Sequence, residues 1–348
     1  MPDFLKKFIE SAGWPRIIIG IFLLVLFLLA PLVNVRIDTS LSDVLVRVGM
    51  NGIMVLAMVP MIRSGCGLNF GLPLGIIAGL LGACTSLNFQ FKGVFGIIVA
   101  LLIAIPLAAI FGYFYGLLLN RVKGGEMMIA TYVGFSSVAL MCIGWMLLPF
   151  SNPMMVWGFS GEGLRTTISV EGFTQQVLSD FLSLQIGKFF YFPTGMYLCF
   201  GLACLLVYYF FRSRTGMSMT AVGKNPEFAT ASGINVDRMR TISVILSTVL
   251  GAVGIIVYQQ SFGFIQLYMG PFYMAFPAVA AILLGGASLK NATLVHVIVG
   301  TFLFQGIVTM APSVINSLVK SDMSEVIRIV VSNGMILYAL TRKEILKR

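Results

Sequence analysis

The sequence predicts an all-α integral membrane protein of about ten transmembrane helices, and three observations carry the prediction. Hydrophobic residues make up 58% of the 348 and charged residues 10%, with a mean hydropathy of +0.96; soluble chains carry about a quarter charged residues. The apolar residues come in long runs, and a bilayer core takes roughly 20 residues per helix. The formal charge of +10 gathers in alternate connections between those runs.

In chain order the runs are 16–33, 44–62, 72–87, 93–119, 127–148, 194–211, 241–262, 271–287, 292–311 and 326–341. They are too long for strands and lack a two-residue alternation. Lys6, Lys7 and Arg16 precede the first run as in a signal peptide, but no small-x-small cleavage site follows before Asn34, so an uncleaved first span is expected. Pro73, Gly75, Pro106, Gly112 and Pro277 interrupt several runs, which membrane helices tolerate. The 37 glycines suit close helix packing. The longest outer loop is 149–193; Phe173, Val177, Leu178 and Phe181 share one helical face and predict an interfacial helix near 173–185. Trp145 and Trp157 are expected at the outer interface. Cys66, Cys84, Cys142, Cys199 and Cys204 show no metal or disulfide spacing and read as packing residues.

Charge sets the orientation. With both termini cytoplasmic and ten crossings, the inner segments hold sixteen basic residues against six acidic ones, and the outer side holds seven of each. The whole excess is then inside, as the positive-inside rule requires. Topology alone accounts for a pI near 9.5, so no nucleic-acid partner is expected.

Between two of the apolar runs lies a polar island, Ala221-Val-Gly-Lys-Asn-Pro-Glu-Phe-Ala-Thr-Ala-Ser-Gly-Ile-Asn235, inside an inner loop spanning 212–240. Asn225 suits a helix N-cap, Pro226 the first helical position, and Glu227 the positive end of the dipole. Gly233 can take the left-handed conformation that stops a helix. The residues thus predict a short, deliberately capped helix outside the bilayer.

Several chemistries are missing. No Asp or Glu lies within a span; apart from Arg16, which opens the first run at its inner end, the charged residues inside the spans, Arg47 and Arg328, sit close to outer ends. The single histidine, His296, reads as a packing residue in span nine, since proton relays use chains of such groups. The chain carries no Gly-x-x-x-x-Gly-Lys-Ser/Thr phosphate loop and no nucleophile–base or paired-carboxylate set. It is therefore expected to be no enzyme, to bind no cofactor or metal, and to form a passive pathway driven from outside. Candidate pathway residues are the neutral polar side chains within spans: Asn51, Asn69, Thr131, Ser136, Ser137, Tyr258, Gln259 and Gln260. Helix–helix hydrogen bonding explains each equally well.

The island resembles the coupling loop of permease subunits of bacterial ABC importers, in the branch that carries branched-chain amino acids, simple sugars and nucleosides. Ala221, Gly223, Asn225 and Gly233-Ile234 follow the pattern, with Phe228, Ala229 and Ala231 in place of its alanine pair. Gly67-Leu-Asn-Phe-Gly71, Met128-Ile-Ala-Thr131 and Leu284-Gly-Gly-Ala-Ser288 followed by Gly300-Thr301 are similar to further segments of that family, in the same order. Lys290-Asn-Ala-Thr293 stands where the family often has a glycine run.

The resemblance implies a single permease domain over 1–348, with spans 2–5 and 7–10 as two inverted four-helix repeats. It implies a bacterial inner-membrane location, a second permease copy or a homologous one, and an extracytoplasmic substrate-binding protein. ATP-binding cassette subunits would use ATP and magnesium on behalf of this chain. Gly223, Lys224, Asn225, Pro226, Glu227, Phe228 and Gly233 would couple to the ATPase. The substrate expected is a monosaccharide or nucleoside, since no intramembrane charge is placed to neutralise an ammonium. A branched-chain amino acid permease and a sodium-coupled secondary carrier remain the alternatives.

Overall fold

Apolar length decides where helices form, and capping and proline decide where they end. The computed structural model describes residues 14–122, 124–156, 163–186, 189–319 and scattered positions between 323 and 334. Helix α1 (Trp14–Leu29) tightens into a 3-10 turn and stops at Asn34, which has the left-handed φ of 60°. Helices α2 (Ile37–Leu56) and α3 (Met58–Arg63) form one run broken at Ala57. Pro60 explains the break, because it has no N–H for the Leu56 carbonyl one turn earlier. Then follow α4 (Pro73–Asn88), α5 (Gly93–Arg121) and α6 (Glu126–Leu147). After an outer loop come α8 (Thr194–Arg212), the two island helices α9 (Arg214–Lys224) and α10 (Pro226–Ala231), α11 (Val236–Phe262), α12 (Gly270–Leu284) and α13 (Leu294–Val319). The short α7 (Val177–Asp180) lies within the outer loop.

Among the described residues seven helices are long and apolar enough to cross a membrane, and α4 and α12 are shorter apolar helices. The chain is thus mostly helical and multi-pass. The expected span 326–341 lies largely outside the described residues, as do Arg328 and Trp157. Several boundaries move outward: the second apolar run begins at Ile37 rather than 44, and the seventh at Val236 rather than 241. In both cases the helix extends through polar residues that hydropathy assigns to a loop.

Burial divides the helices into two groups. The α2–α3 run, α11 and α13 are mostly buried, whereas α1, α5, α6 and α8 present Leu, Ile and Phe outward, as helices facing lipid do. Helix α11 packs against both α4 and α5 through small residues. A β-carbon on Gly75 would overlap the Thr248 carbonyl oxygen, and one on Gly79 would stand 2.6 Å from that of Ala252. Such backbone proximity is how helices associate where hydrophobicity gives no net drive.

The outer loop departs from the expectation of a helix over 173–185. Only the four residues of α7 are helical, between Gln176 at a φ of 57° and an extended Phe181. Among its described residues the loop also forms short strand pairings. Strand β1 (Thr167–Ser169) pairs antiparallel with β4 (Phe264–Gln266), and β2 (Leu184–Ile186) pairs with β3 (Phe190–Phe192). The apolar face is used inward: Val177 and Leu178 pack on the cluster around Ile97 and Ala100, while Phe181 is exposed. Gln260 fastens this loop, its carbonyl accepting from Gln176 N at 2.8 Å and its side chain accepting from Leu178 N at 3.1 Å. Burial, then the Asp180 carboxylate, pushes the Tyr191 phenol up to about 12, so it donates to Asp180 at 3.1 Å. Trp145 is also not at an exposed belt: it is 1% exposed, packed in the main core, and its carbonyl accepts from Leu164 N.

Candidate coupling site and translocation pathway

The island folds as two short helices meeting at Asn225. Ser213 caps α9, accepting from Gly216 N at 3.3 Å. Asn225 ends α9 and caps α10, its Oδ1 accepting from Phe228 N at 3.0 Å. Pro226 opens α10 and Glu227 lies in its first turn. At the other end Gly233 has a φ of 77°, Gly233 N donates to Thr230 O at 3.0 Å, and Ile234 N donates to Ala229 O at 2.9 Å. Those two bonds form a Schellman stop, which needs the left-handed glycine. Asn235 then caps α11, accepting from Arg238 N at 2.9 Å. Every one of these bonds spans at most five residues.

The seven island residues divide by exposure. Lys224, Asn225, Pro226, Glu227, Phe228 and Gly233 are exposed, and Phe228 keeps 65% of its surface open although it is a large apolar side chain. Gly223 is different. It is buried, and a β-carbon there would overlap the carbonyl oxygen of Arg63 and stand 3.0 Å from Gly65 N. Its place is at the root of the island, backbone against backbone with the end of α3.

Other contacts tie the island to the bundle. The Arg63 guanidinium donates through Nε to Ala292 O at 2.9 Å and lies 4.3 Å from the Phe211 ring centre. Asn120 Nδ2 donates to Asp237 O and to Thr241 Oγ1, each at 2.9 Å. Arg240 and Glu126 form a largely buried ion pair at 3.1 Å, with 12% and 14% of their side chains exposed. Ser243 donates to Ser64 Oγ at 2.7 Å. None of these partners is a sequence neighbour. In the sequence Arg63 and Arg240 count only as charges of one sign, and nothing marks them as joints.

The eight pathway candidates do not gather in one place. Asn69 lies in a non-helical segment between Gly65 and Pro73, with Gly65 and Gly67 at φ values of 80° and 82°. The glycine-flanked break expected there is present, but Asn69 is 0% exposed and faces no open cavity. Its Nδ2 donates to Ser247 Oγ at 2.7 Å and its Oδ1 accepts from Tyr115 OH at 3.2 Å. Ser247 in turn donates to Ala57 O, at the break between α2 and α3. The result is a buried polar knot joining α3, α5 and α11, the hydrogen-bonding use that the residue type also allows.

Asn51 donates to Arg47 O, and Thr131 to Met127 O, each one turn back in its own helix at 2.9 Å. Ser136 is exposed on α6. The Tyr258 ring stacks on Phe262 at 5.4 Å. Gln259 is 3% exposed and, together with Gln260, lines a cavity of about 10 Å³ among α4, α5, α11 and the outer loop. That volume suits about one water, so the cavity is closed to a sugar or nucleoside in this conformation. Helices α12 and α13 also meet closely beside the Leu284-Gly-Gly-Ala-Ser288 segment. There a β-carbon on Gly285 would overlap the His296 carbonyl oxygen, and one on Gly300 that of Ala281.

The family model for the branched-chain amino acid transport system, permease component, matches residues 40–340, and the chain belongs to that family. Over 78 residues it is 41% identical to the nucleoside ABC transporter permease protein NupC of Lactococcus lactis subsp. cremoris (strain MG1363). That stretch is 22% of this chain and spans 25% of the relative's length. No solved structure matches the chain. It is therefore a multi-pass ABC permease component, and the family is not one of enzymes.

Proposed function

We propose that the chain is the membrane subunit of an ATP-driven importer in the bacterial inner membrane, with the island facing the cytoplasm. The observation that carries this reading is the island itself. It is a capped helix with an exposed phenylalanine, held at its root by Gly223 against Arg63, in a chain of the permease family. An exposed, locally rigid helix with one large apolar side chain suits insertion into a groove of another protein. That protein is an ATP-binding cassette subunit using ATP and magnesium, with Lys224, Glu227 and Phe228 as contacts. A second permease copy or homologue and an extracytoplasmic binding protein complete the assembly.

Helix lengths support an inverted repeat within a single domain of ten spans. The run Ile37–Arg63, then α4 and α5, has lengths of 27, 16 and 29 residues; α11, α12 and α13 have 27, 15 and 26. Each short helix has a proline within its first two residues, Pro73 or Pro271, after a non-helical segment. An offset of five spans, an odd number, inverts one set relative to the other. Short, interrupted segments at matching positions are where such folds place their pathway.

The substrate proposed is a small neutral polar solute, a nucleoside before a monosaccharide. The nucleoside permease similarity and the neutral polar side chains in the spans favour it. The family description favours a second reading, a branched-chain amino acid. Both are tested by reconstituting the permease with its ATPase and binding protein in vesicles and following labelled nucleosides, sugars and branched-chain amino acids. ATP-dependent uptake of nucleosides is expected. Uptake independent of ATP and driven by a sodium gradient would reject the importer reading.

A further inference from the structure

We infer that Arg63 is the positioning residue through which movement of the island reaches the second half of the bundle. This rests on the importer reading above, and it names a residue that the coupling motif does not contain. Arg63 is the last residue of α3 and touches three parts of the chain that are remote in sequence. Its carbonyl lies under Gly223, so closely that no β-carbon fits between them. Its Nε donates to Ala292 O in the connection from α12 to α13, 229 residues away. Its guanidinium lies 4.3 Å from the Phe211 ring centre, at the end of α8. The island root, the helix leading into the island and the α12–α13 connection therefore share one residue: its carbonyl packs under the root, and its side chain holds the other two.

The geometry is specific to arginine. The guanidinium lies over the ring while its Nε–H reaches a carbonyl, a division of contacts that its planar fork allows. A lysine keeps the charge, and so the topology, but its ammonium cannot make both contacts in that arrangement. The far side of the island is fastened differently. There Asn120 holds the start of α11, and the Arg240–Glu126 pair ties α11 to α6. A push on α10 is thus divided between two joints: Arg63 carries it toward α12–α13, and Arg240 toward α6.

The test uses the assembled complex in vesicles, comparing wild type with Arg63→Lys and Phe211→Leu. For each, ATP hydrolysis without binding protein, uptake per ATP hydrolysed, and thermal unfolding of the purified complex are measured. Arg63→Lys is expected to leave basal hydrolysis and unfolding temperature unchanged while uptake per ATP falls about tenfold, within the usual range of coupling between sites. Phe211→Leu should show a smaller loss of the same kind, and the double variant no more loss than Arg63→Lys alone, because both act through one contact. Uptake per ATP equal to wild type in both single variants would overturn the inference, as would losses that track the unfolding temperature. If wild type itself shows no ATP-driven uptake, the importer reading is what fails, and this inference goes with it.

Discussion

Two polar regions interrupt this apolar chain, and they are built in opposite ways. The island from Ala221 to Asn235 is mostly exposed, and the caps of its helices use hydrogen bonds between near neighbours. The knot around Asn69 is buried, and its bonds join residues 46 and 178 positions apart. Exposure means that island groups have water as an alternative partner, so each bond adds little net stability. Burial removes that alternative, so each knot bond is expensive to leave unmade. The island is accordingly suited to engage a partner, and the knot to hold α3, α5 and α11 in one arrangement.

The contrast breaks first at Gly223, which belongs to the island in sequence but to the buried interior in space. Gly223→Val should cost about 3 kcal/mol, because the added carbon meets backbone rather than a yielding side chain. A lowered thermal midpoint of the detergent-solubilised protein would register it, and an unchanged midpoint would show that the island root is free to shift. Next comes Asn69→Leu, expected to cost about 2 kcal/mol by stranding the Tyr115 hydroxyl and one side of Ser247 in a dry interior. Tyr115→Phe in the same background should then add little further, since the donor left unsatisfied is gone.

Asn225→Ala should cost about 1 kcal/mol, the usual worth of an N-cap, and its effect should stay local. Faster hydrogen exchange at Phe228 and its neighbours, without change in α11, is the expected signature. Glu227→Gln should be smallest, at most about 0.5 kcal/mol, for loss of a favourable charge at an exposed helix start. If α10 seats in an ATPase, the same substitution should nonetheless weaken binding of that subunit. Unaltered binding of the ATPase by both Glu227→Gln and Phe228→Ala would leave α10 as a solvated connection.

Legibility in the sequence follows the same division. Residues 225–235 spell out the helix and its stop because N-cap, proline and stop glycine act within one or two turns. The apolar runs likewise placed, among the described residues, the seven helices long enough to cross a membrane and the two shorter ones, because each run satisfies its own backbone. Where polar residues extend those helices, at Ile37 and Val236, hydropathy placed the ends too far inward. The outer loop misled more. Phe173, Val177, Leu178 and Phe181 have a helical spacing, yet Gln260 pulls the chain into a turn around α7; the first three pack inward and Phe181 stays exposed. The pathway candidates were equally opaque, because an amide within a span looks the same whether it lines a route or ties two helices.

The sequence by itself determined that this chain is a membrane-embedded helical permease component with a short capped helix in a polar segment between two apolar runs. Those properties come from local sums: hydropathy over about 20 residues, charge per connection, and hydrogen bonds within one turn. Tertiary structure alone decided that Asn69 closes a knot, that Gly223 is a root rather than a contact, and that Arg63 meets Ala292 and Phe211. The physical reason is that these roles depend on which backbones approach closely enough to exclude a β-carbon or water, and that is settled only when distant helices pack.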